Sequence, residues 1–172
     1  STNAIGMTQD GNGGSIDIIN NGTITLTGDQ SIGMHSKNAI GSILIPHTIL
    51  NVGTITVGDS VSSTSPSVGI YSENAVTGSV IENGGTVRAG NRSIGIYGKD
   101  IVLKGNATTE AGDGGIAVYS NEGKVTIEEN AKLSVGKSLG TNEEGVVVYL
   151  AGNSQTLKSK TSNIIMLLPN CL

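Results

Sequence analysis

A short phrase that recurs along the chain constrains the fold more than any other feature. Each copy is a Thr-rich apolar stretch that ends in Gly and leads to Ser-Ile-Gly-Ile-Tyr or a close variant. The clearest copies lie within residues 23–35, 54–71 and 86–97, and two weaker ones end at Tyr119 and Tyr149. Repetition on this scale is the signature of a solenoid, in which each repeat packs on its neighbours.

The spacing of the copies predicts the coil. Their aligned centres are 36, 26, 22 and 30 residues apart, and a partial copy at residues 4–7 lies 27 residues before the first. A third apolar segment recurs in each period, at residues 15–18, 42–45, 79–81, 100–103 and 124–127. Three segments per period predict three strands per coil and five to six coils.

The composition of the segments identifies them as strands. They are four or five residues long, alternate apolar residues with Thr or Ser, and favour β-branched side chains. Gly, Asn and Asp fill the intervals and suit tight corners. We therefore predict an all-β fold, a single-stranded parallel β-helix. The variable period and the absence of a regular six-residue strand repeat favour a right-handed coil.

Stacking of coils about 4.8 Å apart places equivalent residues in columns. Two inward apolar columns are predicted, one of Ile24, Ile55 and Val87 and the other of Ile32, Val68 and Ile94. Thr residues in the same segments, at positions 23, 25, 27, 54 and 56, are predicted to face outward.

An aromatic column is the one candidate site that the repeat specifies. It consists of His35, Tyr71, Tyr97, Tyr119 and Tyr149. Two interpretations are open: a strip that faces a sugar or a protein partner, or aromatic packing between coils.

Composition limits the possible functions. The chain has 26 Gly, neither Phe nor Trp, and 14% charged residues, which suits a narrow interior of stacked Ile and Val. With a net charge of −4 the chain has no excess of positive charge to bind phosphate groups, so no nucleic-acid partner is expected. Cys171 is the only cysteine, which rules out a disulfide within the chain. No signal peptide and no membrane-spanning apolar run is present.

The residue types that catalysis or metal binding needs are sparse. His35 belongs to the aromatic column, and His47 is predicted to lie in a loop. The Gly-rich stretch around Asp113 lacks the tandem nine-residue period of calcium-binding repeats. Adjacent carboxylates at residues 128–129 and 143–144 are expected to be solvated corners. We predict no catalytic residue, no metal and no cofactor.

The repeat covers residues 1–157, which are expected to be a fragment of a longer chain. The first residues are expected to begin partway through a coil. Residues 158–172 lose the Gly and Asn corners and form a non-repeat tail. The tail is either a cap over the open end of the stack or an artefact of truncation.

Residues 1–157 resemble the passenger regions of autotransporter adhesins, the type V secreted proteins of Gram-negative bacteria. The resemblance rests on Asn-Val-Gly-Thr-Ile-Thr-Val-Gly-Asp at residues 51–59 and Ser-Val-Gly-Ile-Tyr-Ser-Glu-Asn-Ala at residues 67–75. It implies a right-handed parallel β-helix at the cell surface, anchored in the outer membrane by a separate barrel, that mediates adhesion or virulence-related contact. No catalytic residue of the family matches.

Two functions from different classes follow. The first is a rigid, non-enzymatic stalk and adhesive surface whose partner is a protein or glycan on a host or bacterial cell; the isolated segment is expected to be monomeric or to associate end to end. The alternative is a carbohydrate-active β-helix, a polysaccharide lyase or tailspike-like glycosidase, which needs charged residues gathered in one groove. Its candidates are Arg88, Arg92, Lys99, Asp100 and Lys104.

Overall fold

The computed structural model describes residues 3–11, 16–38, 46–73, 75–153, 155–161 and 164–166. Within them the chain forms six coils of three strands each. These are β1 (Ile5–Gly11), β2 (Ile16–Asn20) and β3 (Thr23–Leu26); β4 (Ile32–Asn38), β5 (His47–Asn51) and β6 (Thr54–Val57); β7 (Val68–Glu73), β8 (Val80–Asn83) and β9 (Thr86–Ala89); β10 (Ile94–Gly98), β11 (Asp100–Leu103) and β12 (Thr108–Ala111); β13 (Ile116–Asn121), β14 (Lys124–Ile127) and β15 (Lys132–Val135); and β16 (Val146–Ala151), β17 (Thr156–Ser159) and β18 (Ile164–Met166).

Equivalent strands of successive coils form three six-stranded sheets. Sheet A contains the first strand of every coil (β1, β4, β7, β10, β13, β16), sheet B the second and sheet C the third. Every recorded pair is parallel, for example Ile101 with Ile81 in sheet B and Thr54 with Thr86 in sheet C. This arrangement confirms the predicted parallel β-helix with three strands per coil. None of the described residues forms a helix long and apolar enough to span a membrane.

The core is a narrow stack of apolar columns. In sheet C, Ile55 and Val87 are fully buried as predicted, and Ile24 in the first coil is half-buried. Sheet B contributes Ile49 and Ile81, each no more than 1% exposed. The outward prediction for the Thr residues is also confirmed, since Thr23, Thr25 and Thr27 are exposed and Thr54 and Thr56 are half-buried.

The inward prediction is wrong for Ile32 and Ile94, which are half-buried, whereas Val68 is buried, at 7% exposed, but lies outside the core cluster. These residues line a groove on the outer surface together with Tyr71 and Tyr97. The buried column of sheet A lies two positions further on, at Met34, Ile70, Ile96 and Val118.

A bend at the intervening glycine explains the error. The recorded register pairs Ile32 with Val68 and Met34 with Ile70, and it passes over Gly33. A Cβ on Gly33 would lie 2.5 Å from the carbonyl oxygen of Gly69 and 2.4 Å from Ile55 Cγ2. The strand therefore turns at the glycine, and the simple alternation assumed through it is broken.

Five strands differ from the sequence prediction or were not foreseen by it. His47 opens strand β5 instead of lying in a loop, while residues 42–45, predicted as that strand, lie outside the described residues. Strands β12 and β15 take the place of the Thr-rich segment in the two weaker repeats, where the sequence singled none out. Strand β17 crosses the predicted domain boundary at residue 157, and β18 pairs with β15, so the described part of the tail continues the stack.

Candidate functional site

The rings of the predicted aromatic column lie in line on the outer face of sheet A. The backbone register pairs His35 with Tyr71, Tyr71 with Tyr97, and Tyr97 with Tyr119, which in turn pairs with Tyr149. Successive ring centroids are 5.2, 5.1, 4.7 and 4.9 Å apart. The column thus crosses five coils at the spacing of the strands themselves.

The column consists of two stacks with different orientations. His35 and Tyr71 are stacked with an angle of 15° between their planes, and Tyr97, Tyr119 and Tyr149 are stacked at 15° and 19°. Between Tyr71 and Tyr97 the angle is 89°, an edge-to-face contact. Because an edge covers less of a ring face than a parallel ring does, part of a ring face is left open at this junction, and Tyr149, at the end of the column, is the most exposed of the four tyrosines.

Two grooves flank the junction. On one side Ile32, Pro66, Val68 and Ile94 join the two tyrosines to form an apolar groove of about 270 Å³. On the other side the same tyrosines form one wall of a polar pocket of about 280 Å³, which we call the polar notch. Its remaining lining is Ser72, Glu73, Ala75, Gly98, Lys99 and Asn121.

A change in corner length creates the polar notch. In the third coil, residues 74–79 separate Glu73 at the end of β7 from β8, whereas in the fourth coil Lys99 alone connects β10 with β11. A long corner stacked on a short one leaves a step in the side of the rod. The side chains at this step belong to three successive coils.

The charged residues of the polar notch differ in how they are paired. Both carboxylate oxygens of Glu73 lie near a basic side chain: Oε2 is 3.0 Å from His35 Nε2, and Oε1 is 3.5 Å from Lys37 Nζ. Lys99 forms no recorded ion pair with any other described residue. The carboxylate is therefore paired within the protein, while the Lys99 ammonium has no ion-pair partner among the residues that the structure describes.

Two tyrosines of the column have phenol groups whose pKa is raised by their surroundings. Burial raises the pKa of the Tyr71 phenol, and Glu73 and Tyr97 raise it further. Burial likewise raises the pKa of Tyr119, with smaller contributions from Tyr97 and Tyr149. Tyr71 and Tyr119 therefore remain neutral hydrogen-bonding groups at physiological pH.

The five charged candidates for carbohydrate cleavage are not brought together. Arg88 pairs with Glu110 on the outer face of sheet C, at 2.8 Å. Arg92, which pairs with Glu143 at 3.0 Å, lies at the corner between sheets C and A, and Lys104, 3.4 Å from Glu82, lies at the corner between B and C. Lys99 and Asp100 lie at the third corner.

Asp113, the candidate calcium ligand, belongs to a corner ladder between sheets C and A. Asp59 Oδ1 accepts a hydrogen bond from the backbone N–H of Asn91 at 2.8 Å, and Asn91 Oδ1 accepts one from the backbone N–H of Asp113 at 2.8 Å. Asp113 Oδ1 in turn accepts one from the backbone N–H of Lys137 at 3.0 Å. We call these residues the Asx ladder. Its side chains satisfy backbone N–H groups of the next coil, and no cluster of three or more metal-ligating residues occurs in the described part of the chain.

Sequence reasoning found the aromatic column but missed the partners of the polar notch. The tyrosines share one repeat position and could be aligned. Glu73, Lys99 and Asn121 each lie two residues after a tyrosine of the column, so they also share one repeat position. The alignment that found the tyrosines could have found these residues, but not the pocket that opens where a long corner is stacked on a short one.

The fold and the surface together define a parallel β-helix solenoid that carries an outward aromatic column. Protein-family models, curated protein sequences and solved structures were all compared with the chain, and none of them matches it.

Proposed function

We propose that this chain is a rigid, non-enzymatic segment of a bacterial surface protein of the autotransporter passenger type, with sheet A as its adhesive face. Its partner is a protein or glycan on a host or bacterial cell. The proposal further places the parent chain at the cell surface of a Gram-negative bacterium, anchored by a separate outer-membrane barrel. The observation that carries the adhesive role is the aromatic column, whose five rings lie outward and in line.

The parallel β-helix suits a stalk. Continuous parallel sheets connect all six coils, and at about 4.8 Å per coil the stack is about 29 Å long. Each coil adds length without a separate globular core. Such a rod holds its outward columns at a constant spacing, so a partner with a repeating surface meets the same contact several times.

The size of the face indicates weak individual contacts. A strip about 29 Å long and about 10 Å wide, three residues across, covers about 300 Å². That is less than the roughly 800 Å² that each partner buries in a stable interface, yet it is within the range of functional apolar patches on monomers. Adhesion through this face therefore depends on many copies that bind together.

The alternative of a polysaccharide-cleaving β-helix has less support. That chemistry needs acids and bases a few ångströms apart in one groove. The candidates Arg88, Arg92, Lys99, Asp100 and Lys104 are distributed over a sheet face and three corners. We prefer the adhesive function for this reason.

A cell-binding assay with multivalent display tests the proposal. Beads coated with the purified chain should bind bacterial or epithelial cells, and the variant Tyr97→Ser/Tyr119→Ser should bind at least about tenfold less because it interrupts the aromatic column. The matched control, Thr54→Ala/Thr56→Ala, alters the outer face of sheet C and should bind as the parent does. Circular dichroism verifies that both variants are folded. Absence of binding by the parent, or an equal loss in the control, would overturn the proposal.

A further inference from the structure

We infer that the polar notch is a binding site for a single sugar unit that carries a carboxylate group, such as a uronic acid at the surface of a glycan. This inference rests on the proposed adhesive function and deepens it, since it names the chemistry of one ligand and the residues that hold it.

The size of the polar notch matches one sugar unit. Its volume of about 280 Å³ is just below the roughly 300–1,000 Å³ that small-molecule pockets span. The notch occurs at the one described step where the long corner after Glu73 is stacked on the short corner at Lys99. This volume suits a single unit better than an extended chain.

The charges of the notch favour a carboxylate on the ligand. Glu73 is already compensated by His35 and Lys37, which lie 3.0 and 3.5 Å from its two oxygens. Lys99 has no recorded anionic partner among the described side chains, so its ammonium group is the uncompensated charge in the lining. A ligand carboxylate would form a charge-assisted hydrogen bond with it.

The other lining groups suit the rest of a sugar ring. Asn121 is exposed at the end of β13, and its amide offers two donor hydrogens and an acceptor oxygen to hydroxyl groups. The edge-to-face junction of Tyr71 and Tyr97 supplies a small apolar wall for the C–H face of the ring. The greater part of the lining surface is polar, which suits a ligand that carries many hydroxyl groups.

A pair of probes that differ in the carboxylate tests the inference. Glucuronate and glucose have the same ring, but glucuronate has a carboxylate where glucose has a hydroxymethyl group. In an NMR titration of the purified chain, glucuronate should shift signals of Tyr71, Tyr97 and Lys99 with a Kd in the millimolar range, and glucose should bind about tenfold more weakly.

Two matched variants assign the effect to the site. Lys99→Gln should weaken glucuronate binding to the level of glucose, whereas Lys124→Gln, the same charge change on β14 outside the notch, should leave both affinities unchanged. The inference is overturned if neither sugar shifts these signals up to about 50 mM, if glucose binds as well as glucuronate, or if Lys99→Gln has no effect.

The outcomes also separate this inference from the proposed function. Cell adhesion without sugar binding would refute the proposed sugar site and leave the proposed adhesive face supported. Glucuronate binding by a chain that adheres to no cell would support the site and remove the adhesive function.

Discussion

At the scale of single residues, the Asx ladder explains why Gly precedes Asp or Asn in the repeat. A Cβ on Gly90 would lie 2.3 Å from Asp59 Oδ1 and 2.5 Å from the Asp59 backbone nitrogen. The equivalent atom on Gly112 would lie 2.5 Å from Asn91 Oδ1. The acceptor oxygen of one coil thus takes the space that a side chain of the next coil would need. The Gly-Asx pair, which is also common in ordinary turns, here allows adjacent coils to stack closely.

The variant Gly90→Ala should therefore destabilise the chain. Because the clash involves backbone atoms that cannot move aside freely, we expect a loss of about 1–3 kcal/mol in the free energy of unfolding, measured in urea. Gly22→Ala is the matched control, since the nearest atom to its added Cβ, Asn20 Oδ1, is 4.0 Å away. Equal stability of the two variants would contradict the steric explanation.

At the scale of the structural element, the strands of sheet B end in a buried ladder of amides. Asn20 Nδ2 donates to Asn51 Oδ1 at 2.8 Å, Asn51 Nδ2 to Asn83 Oδ1 at 2.8 Å, and Asn83 Nδ2 to Thr109 Oγ1 at 3.1 Å. In the fourth coil the register position of Asn83 is taken by Leu103. The ladder can end there because Thr109 Oγ1, on sheet C, accepts the hydrogen bond from Asn83, and a buried polar group without a partner would be costly.

Replacement of Asn51, the middle amide, tests whether the ladder stabilises the fold. Asn51→Leu should cost about 1–3 kcal/mol in the free energy of unfolding, because the amide of Asn20 and the carbonyl of Asn83 each lose a buried partner. Asn21→Leu, at the exposed neighbouring position, serves as the control and should change stability by less than about 0.5 kcal/mol. A similar cost for both, measured by urea unfolding, would show that the ladder adds no stability.

At the scale of the whole molecule, the stack is one-dimensional and its coils are unequally protected. In the first coil Thr23 and Thr25 are exposed and Ile24 is only half-buried, whereas Ile55 in the second coil is fully buried. In the sixth coil every residue of β17 is exposed. Each coil is stabilised mainly by its neighbours, so the middle of this chain has more support than either end.

Hydrogen exchange measured by mass spectrometry should reveal this gradient. Amides of β7 to β15 are expected to exchange most slowly, and amides of β1 to β3 and of β16 to β18 at least about tenfold faster, because end coils open without disrupting the rest. Uniform protection along the chain would instead indicate a single cooperative unit, which would contradict the nearest-neighbour description.

Much of the architecture was predictable because a solenoid repeats its local chemistry. The Thr-Ile-Thr segments and the Gly-Asx corners specify strand, corner and coil by position in the repeat alone, and the alignment of four tyrosines follows from the same periodicity. The prediction failed where a residue's direction depends on backbone that stacks above it. Ile32 faces outward because Gly33 bends against Gly69, a contact between residues of different coils.

The sequence by itself determined the all-β class, the three strands per coil and the aromatic column, since each depends on a pattern that recurs from coil to coil. Only the tertiary structure decided which columns face inward, how the rings divide into two stacks, and that a pocket opens beside Glu73, Lys99 and Asn121. The reason is physical: periodicity specifies which residues are equivalent, whereas the direction of a side chain and the space beside it depend on how bends and corners of unequal length stack on one another.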